Sequence, residues 1–177
     1  MLALALVLDV AAPVAAAAAA PVEPLALTLA PGIAWGYVTG DNLAPGATAA
    51  LQVDVGYRTD EHSSLVAHAT LGHLSGVGRD DFGRMFTYDY VPVFLAAGVR
   101  GEALKGWIWG EIALGLHLDS LARDGVRSSS SALGVGLMAG ADVYHHGPDR
   151  VGVYLGIQSE VGGDSYEGLT LGVAYRR

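Results

Sequence analysis

From residue 25 onward, apolar and polar side chains alternate in segments of about ten residues, separated by clusters of turn-forming residues. The stretch LQVDVGYR, 51–58, shows the pattern in its cleanest form. Leu51, Val53, Val55 and Tyr57 occupy the odd positions, and Gln52, Asp54, Gly56 and Arg58 the even ones. A period of two places the two sets on opposite faces of a β-strand. The same reading predicts eight strands, over 25–38, 48–58, 64–74, 88–100, 106–119, 131–145, 150–161 and 167–177. Pro31 and Pro92 fall inside two of them, positions that suit a bulge or a strand start.

The connections divide into two sets. TDEHS, GEALK and HGPD, after the second, fourth and sixth strands, are short. TGDNLAPGA, SGVGRDDFGRMFT, SLARDGVRSSS and GGDSY, after the odd-numbered strands, are generally longer, the third and fifth connections most clearly so. Short turns on one rim and longer loops on the other are the habit of a transmembrane barrel whose short turns are periplasmic.

The two faces then acquire identities. One is Leu, Val and Ile throughout, from Leu51 and Val53 through Ile112 and Leu114 to Leu171 and Val173, and carries no charge. The other mixes glycines with Asp54, Arg58, His68, Arg100, Glu111, Asp142 and Glu160. A soluble barrel would turn its bulky apolar residues inward to pack at interior density. Small residues interspersed with ionisable ones suit the narrow lumen of an eight-stranded barrel, where charges can pair. The apolar face therefore meets lipid, and closure satisfies the backbone that an open edge would leave bare. A sandwich burying the same face against a second sheet is the competing architecture.

Composition sharpens this picture. The 177 residues are 51% hydrophobic, with 25 glycines in no collagen-like period and no cysteine, so neither a disulfide framework nor thiolate chemistry is available. A net charge of −8, with ten scattered Lys and Arg, excludes a nucleic-acid surface. Residues 1–20, apolar and ending in an alanine run before Pro21, read as a signal-peptide-like segment. They lack a basic residue after Met1, and Asp9 interrupts the apolar stretch. No later segment has the ~20 unbroken apolar residues of a spanning helix. The expected organisation is an export segment over 1–20 and one barrel domain over 25–177.

On these residues the chain resembles the small eight-stranded outer-membrane β-barrels of Gram-negative bacteria, the OmpA/OmpX/OmpW-like group. The resemblance covers 25–177 and rests on architecture and on the last strand, GLTLGVAY. There Leu169, Leu171, Val173 and the aromatic Tyr175 match the closing strand that the group's assembly machinery reads. Arg176 and Arg177 after the aromatic depart from that pattern. The resemblance implies an all-β, eight-stranded antiparallel up-and-down transmembrane barrel, monomeric, in the cell outer membrane. Its partners would be outer-membrane lipid and the assembly machinery.

Local signals of chemistry are weak. GVGLMAG, 134–140, has glycine spacing like a dinucleotide loop but lacks the strand-to-helix context, so its glycines read as space-savers in the wall. The six histidines, His62, His68, His73, His117, His145 and His146, show no recurring ligand spacing and read as polar rim or lumen residues, with no metal or other cofactor implied. HLDS, 117–120, offers a His and a Ser near the outer rim, the raw material of a lipid-modifying hydrolase, but His117 and Ser120 are not expected to share geometry. Phe94, Trp107, Trp109, Met138 and Tyr144 are expected to fill the lumen. Trp35, Tyr37, Tyr57 and Tyr175 are expected at the interfaces. The predicted site is a lumenal polar network of Asp54, Arg58, His68, Arg100, Glu111, Asp142 and Glu160. A hairpin centred near Glu61 sets Asp54 opposite His68. No catalytic residue is assigned. The leading function is a structural or surface-interaction barrel acting through its longer loops; a narrow channel or ligand conduit and a rim enzyme are the alternatives.

Overall fold

The computed structural model describes residues 25–38, 46–80, 82–161 and 166–177. The predicted export segment, 1–20, lies outside the described residues. The strands are β1 (Leu25–Val38), β2 (Gly46–Arg58), β3 (Ser63–Gly72), β4 (Leu74–Arg79), β5 (Met85–Ala103), β6 (Ile108–Arg123), β7 (Val126–His146), β8 (Asp149–Val161) and β9 (Tyr166–Arg176). All neighbours are antiparallel, in the order β3-β2-β1-β9-β8-β7-β6-β5-β4, and β3 also pairs with β5. β3 and β4 are two halves of one stave on β5: Leu71 faces Val93, and Leu74 faces Tyr90, so the register runs straight through the break. Pro92, opposite Gly72, has no N–H to give the ladder, which accounts for the interruption. Eight staves thus form a closed up-and-down ring, sealed where β1 meets β9. There Leu27 and Arg177 exchange backbone hydrogen bonds of 2.7 and 2.8 Å.

The faces point as the alternation requires. Leu51, Ile112, Leu155 and Leu171 are 45–52% exposed on the outside, whereas Ala113 and Ala174 are fully buried inside. A belt of this extent cannot face water on a monomer, and hydrocarbon is the surrounding it fits. The opening stretch therefore turns its Leu/Val face outward, and the sandwich is excluded by the closed ring.

Both described chain ends and the turns 59–62, 104–107 and 147–148 share one rim, here the lower rim. The upper rim differs from the sequence expectation. The segments read as long loops, 75–87 and 120–130, are mostly strand. β6 and β7 run on past the belt to a two-residue turn at Asp124 and Gly125, whose φ values of 48° and 83° are the positive pair that a tight hairpin needs. β4 and β5 likewise project to a turn over 80–84, where Asp80 Oδ1 accepts the amides of Phe82 and Arg84 at 3.0 and 2.8 Å. Among the described residues the rims differ in how far the hairpins project, more than in the length of irregular loop; the connections read over TGDNLAPGA and GGDSY lie largely outside the described residues.

A second correction concerns the lumen filling. Phe94, Trp109 and Met138 point inward and are buried, as expected. Tyr144 does not: β7 bulges between Asp142 and Tyr144, and the extra residue, Val143, flips Tyr144 to the outer face at 54% exposure. Trp107 also lies outside the lumen. It follows the turn at Leu104–Gly106 with helical dihedrals and stacks on His145, ring centroids 4.0 Å apart. Both rings join Tyr57 and Tyr175 near the lower rim, while Trp35 stands exposed toward the upper rim. The side chain of Tyr37 lies outside the described residues. In place of the two lost rings, Tyr154 fills the centre, fully enclosed, its hydroxyl donating to the Ala30 carbonyl at 3.1 Å.

Candidate functional site

The interior is a column of side chains from all eight staves, and the glycines are what let it fit. A Cβ on Gly140 would stand 2.4 Å from the Trp109 ring, so the indole lies flat on bare backbone. Trp109, Tyr154, Met138, Ala30 and Ala174 pack together as an apolar plug across the middle of the lumen.

Around that plug lies the densest polar cluster. Arg100 of β5 reaches across the lumen and binds three other strands. Its Nε and Nη2 donate to Glu111 Oε2 of β6 at 2.9 and 2.6 Å, and its Nη1 donates to Thr28 Oγ1 of β1 at 2.7 Å. Nη2 also donates to Asp54 Oδ2 of β2. Asp54 and His68 are opposite each other in the β2–β3 register. His68 Nδ1 stands 2.9 Å from Asp54 Oδ1 and 3.2 Å from Glu111 Oε1, and His68 Nε2 meets Thr70 Oγ1 at 2.7 Å. Gln52 donates to both Asp54 oxygens at 3.1 and 2.9 Å. Two carboxylates, one guanidinium and one imidazole are thus taken out of water together, with hydrogen bonds to spread the charge. This is the condition under which buried ions are tolerated.

The seven residues read from the sequence do not form one network. Asp54, His68, Arg100 and Glu111 meet. Asp142 belongs to a separate cluster at the lower rim, bonded to Arg176 Nη2. Arg176 Nη1 and Arg150 Nη1 clamp Glu102 at 2.8 and 3.0 Å, and both arginines also donate to the Gly106 carbonyl. The two clusters communicate through Trp109, whose ring lies 4.9 Å from the Arg100 guanidinium and 5.2 Å from that of Arg176. Arg58 keeps the inward register but sits half-buried at the lower rim, with no ion pair among the described residues. Glu160 lies in a third group higher up, with His117 and Asp119.

Glu102, Arg150 and Arg176 escape the sequence reading, Glu102 because it falls in a turn, and Arg150 and Arg176 because they stand at the ends of their predicted strands. Arg176, which breaks the family pattern of a terminal aromatic, is 5% exposed and plugs the lower lumen. Its even position, in register with Thr170 and Gly172, was the available signal.

The possible hydrolase pair is not assembled. His117 is fully buried inside, stacked on Phe94 at 4.6 Å between ring centroids. Ser120 has the opposite parity and pairs with Val91 and Ser129 on the outward register. A nucleophile and its base must lie within hydrogen-bond reach, and opposite faces of one strand forbid that.

No family model and no curated protein matches the chain. Its fold is nevertheless shared with solved structures. It is similar to Ail, the attachment invasion locus protein of Yersinia pestis, solved with the heparin analogue sucrose octasulfate: 12% identity over 88% of this chain and 100% of that one, TM-score 0.60. Neisserial surface protein A matches at 10% identity over 87% and 96%, TM-score 0.59. The outer membrane protein OprG of Pseudomonas aeruginosa matches at 9% over 86% and 95%, TM-score 0.54. The chain has the fold of the small bacterial outer-membrane β-barrels, as its last strand and two-faced staves led one to expect.

Proposed function

We propose that the protein is an integral barrel of the cell outer membrane, with its short turns periplasmic, that acts at the cell surface through its two projecting hairpins and does not conduct. The observation that carries this reading is the contrast between a filled lumen and a displayed upper rim. The lumen is crossed by the Trp109–Tyr154–Met138 plug and by the Arg100 cluster, and eight strands leave little room beyond such side chains. Above the belt, the hairpin turns bear apolar side chains in the open: Phe82 is 83% exposed and Val126 75%. Such residues on a rigid projection are contact-makers rather than core. That one structural neighbour is an attachment protein and another a surface protein supports the same reading.

Protease treatment of intact cells tests it. Cleavage at the hairpin turns, after Arg84 or Arg127, is the expected result. Protection in intact cells together with cleavage in lysed cells would refute the orientation. Planar-bilayer recording addresses the channel alternative: the filled lumen supports silence, and a steady conductance would overturn the closed reading.

A further inference from the structure

The upper lumen holds a second Asp/His/Glu group, and it differs from the first in one respect that matters. In the lower group, Asp54, His68 and Glu111 offer ligand-type atoms within 4.8 Å of one another, but the Arg100 guanidinium already stands between the two carboxylates. In the upper group, His117 and Asp119 of β6 and Glu160 of β8 likewise bring ligand-type atoms within 4.8 Å of one another. All three are more than nine-tenths buried. Here no arginine closes the group: Arg100 is committed to Asp54 and Glu111, Arg176 to Glu102 and Asp142 and Arg150 to Glu102, while Arg58 sits at the opposite, lower rim. Arg123, nearest the upper rim on β6, lies over the Phe86 ring at 3.7 Å. Asp119 forms no ion pair among the described residues; its carboxyl is hydrogen-bonded to Glu160 and Tyr90, and its Oδ1 is buried with no hydrogen-bond partner of its own.

Two carboxyl groups this close repel when ionised unless a proton or a cation stands between them. The imidazole supplies the third donor. Its place is built by the backbone: a Cβ on Gly134 would lie 2.2 Å from His117 Cδ2 and 2.7 Å from Nε2, and Gly134 pairs directly with Glu160. Phe94 stacks on the ring, centroids 4.6 Å apart, and fixes its plane. Tyr90 lies within hydrogen-bond reach of Asp119, as an outer partner that orients a ligating carboxylate would.

We propose that His117, Asp119 and Glu160 form a binding site for one divalent transition cation of the zinc type. One imidazole nitrogen and two carboxylate oxygens are a borderline donor set that suits such a cation, whereas calcium and magnesium prefer oxygen alone. The bound cation joins β6 to β8 across β7 and neutralises the charge of the upper lumen as Arg100 does lower down. The ligands come from two strands 41 positions apart at Asp119 and Glu160, so no spacing motif along the chain announces them. The site does not depend on the surface role proposed above.

The test uses the full barrel folded in detergent, freed of metal with a chelator and then equilibrated with Co²⁺ or Zn²⁺. The expected result is one Co²⁺ retained per folded chain, with a visible ligand-field band. The Asp119→Asn/Glu160→Gln double variant, shown to be folded by the mobility shift on boiling, should lose the band. The His145→Ala/His146→Ala variant should keep it. Gly134→Ala, which displaces the imidazole without removing a ligand, should weaken binding about 10–100-fold. In the unaltered protein, Zn²⁺ must move the His117 ring signals in an NMR spectrum, a readout that needs no variant. Failure of the protein to retain either ion, a band that survives the double variant, or Zn²⁺ shifts confined to the other histidines would overturn the site.

Discussion

Replacing Arg100 by Leu tests the idea that the lumen is held together by charge. The guanidinium is 4% exposed and donates to Glu111, Asp54 and Thr28, so one side chain ties β5 to β6, β2 and β1. Leucine leaves the two carboxylates buried with the His68 imidazole as their nearest ionisable partner. Removing one member of a buried ion pair typically costs about 3–5 kcal/mol, because the desolvated partner is left uncompensated. Here two partners are left, but the adjacent imidazole offsets part of that, so a loss near the lower end, about 3 kcal/mol, is expected. At about 1.4 kcal/mol per tenfold change, this raises the unfolding equilibrium constant by roughly a hundredfold.

The assay is urea unfolding of the barrel in lipid vesicles, followed by tryptophan fluorescence, with the boiling shift on gels as a second probe. The decisive comparison is with the triple variant Arg100→Leu/Asp54→Asn/Glu111→Gln, which removes the orphaned charges as well. It should be more stable than Arg100→Leu alone, since the penalty lies in the uncompensated carboxylates rather than in the missing bonds. If Arg100→Leu falls within about 0.5 kcal/mol of the parent, the range of an ordinary surface substitution, the lumenal charge cluster does not hold the staves and the reasoning fails.

Three further outcomes follow from the same geometry. Asp54→Asn and His68→Gln should be non-additive in a double-mutant cycle on urea stability, with a coupling of about 0.5–3 kcal/mol, and additive effects would show the two to be independent. Gly140→Ala should destabilise the barrel by about 1–3 kcal/mol by driving a methyl into the Trp109 ring, whereas Gly101→Ala, with nothing near its Cβ, should leave the urea midpoint almost unmoved. At the upper rim, desolvation raises the Asp80 carboxyl, but the Arg84 and Phe82 amides and the Arg84 guanidinium outweigh it and hold the carboxyl below its usual 3.8. A depressed carboxylate supports the turn at all higher pH and loses that support only as pH falls through its folded value. The Phe82 and Arg84 amide signals should therefore titrate below 3.8 and stay flat above pH 5.

The staves and their two faces were legible because a strand's side-chain period is fixed at two, and within the lipid belt the wall exposes its apolar set. Residues 51–58 alone carry that information, and the β2–β3 register that sets Asp54 against His68 follows from the turn length between them. Three things were not legible, each for a different physical reason. Tyr144 was lost to the bulge at Val143, since one inserted residue inverts the parity of everything after it in that strand and leaves no mark in the alternation itself. The upper hairpins were mistaken for loops because Ser128 to Ser131 carry no apolar face. Above the belt a strand has water on both sides, and the remaining sign was Asp124–Gly125, a pair that specifies a tight turn.

The partition of the lumen is the third case, and the most instructive. Parity says that Asp54, Asp142 and Glu160 all point inward, and they do. It cannot say at what height each sits once the staves tilt and stagger around the ring, because that depends on shear, which accumulates from every pairing in turn. The stagger carries Asp142 down to Arg176 and Glu102, leaves Asp54 at mid-height beside Arg100, and lifts Glu160 to His117 and Asp119. A single inward-facing set is thereby divided into groups of different character. Two are closed by arginines on the same chain, which makes them structural cross-links. The third gathers two carboxylates and an imidazole away from those arginines, and there a bound cation makes the cross-link that arginine makes in the other two.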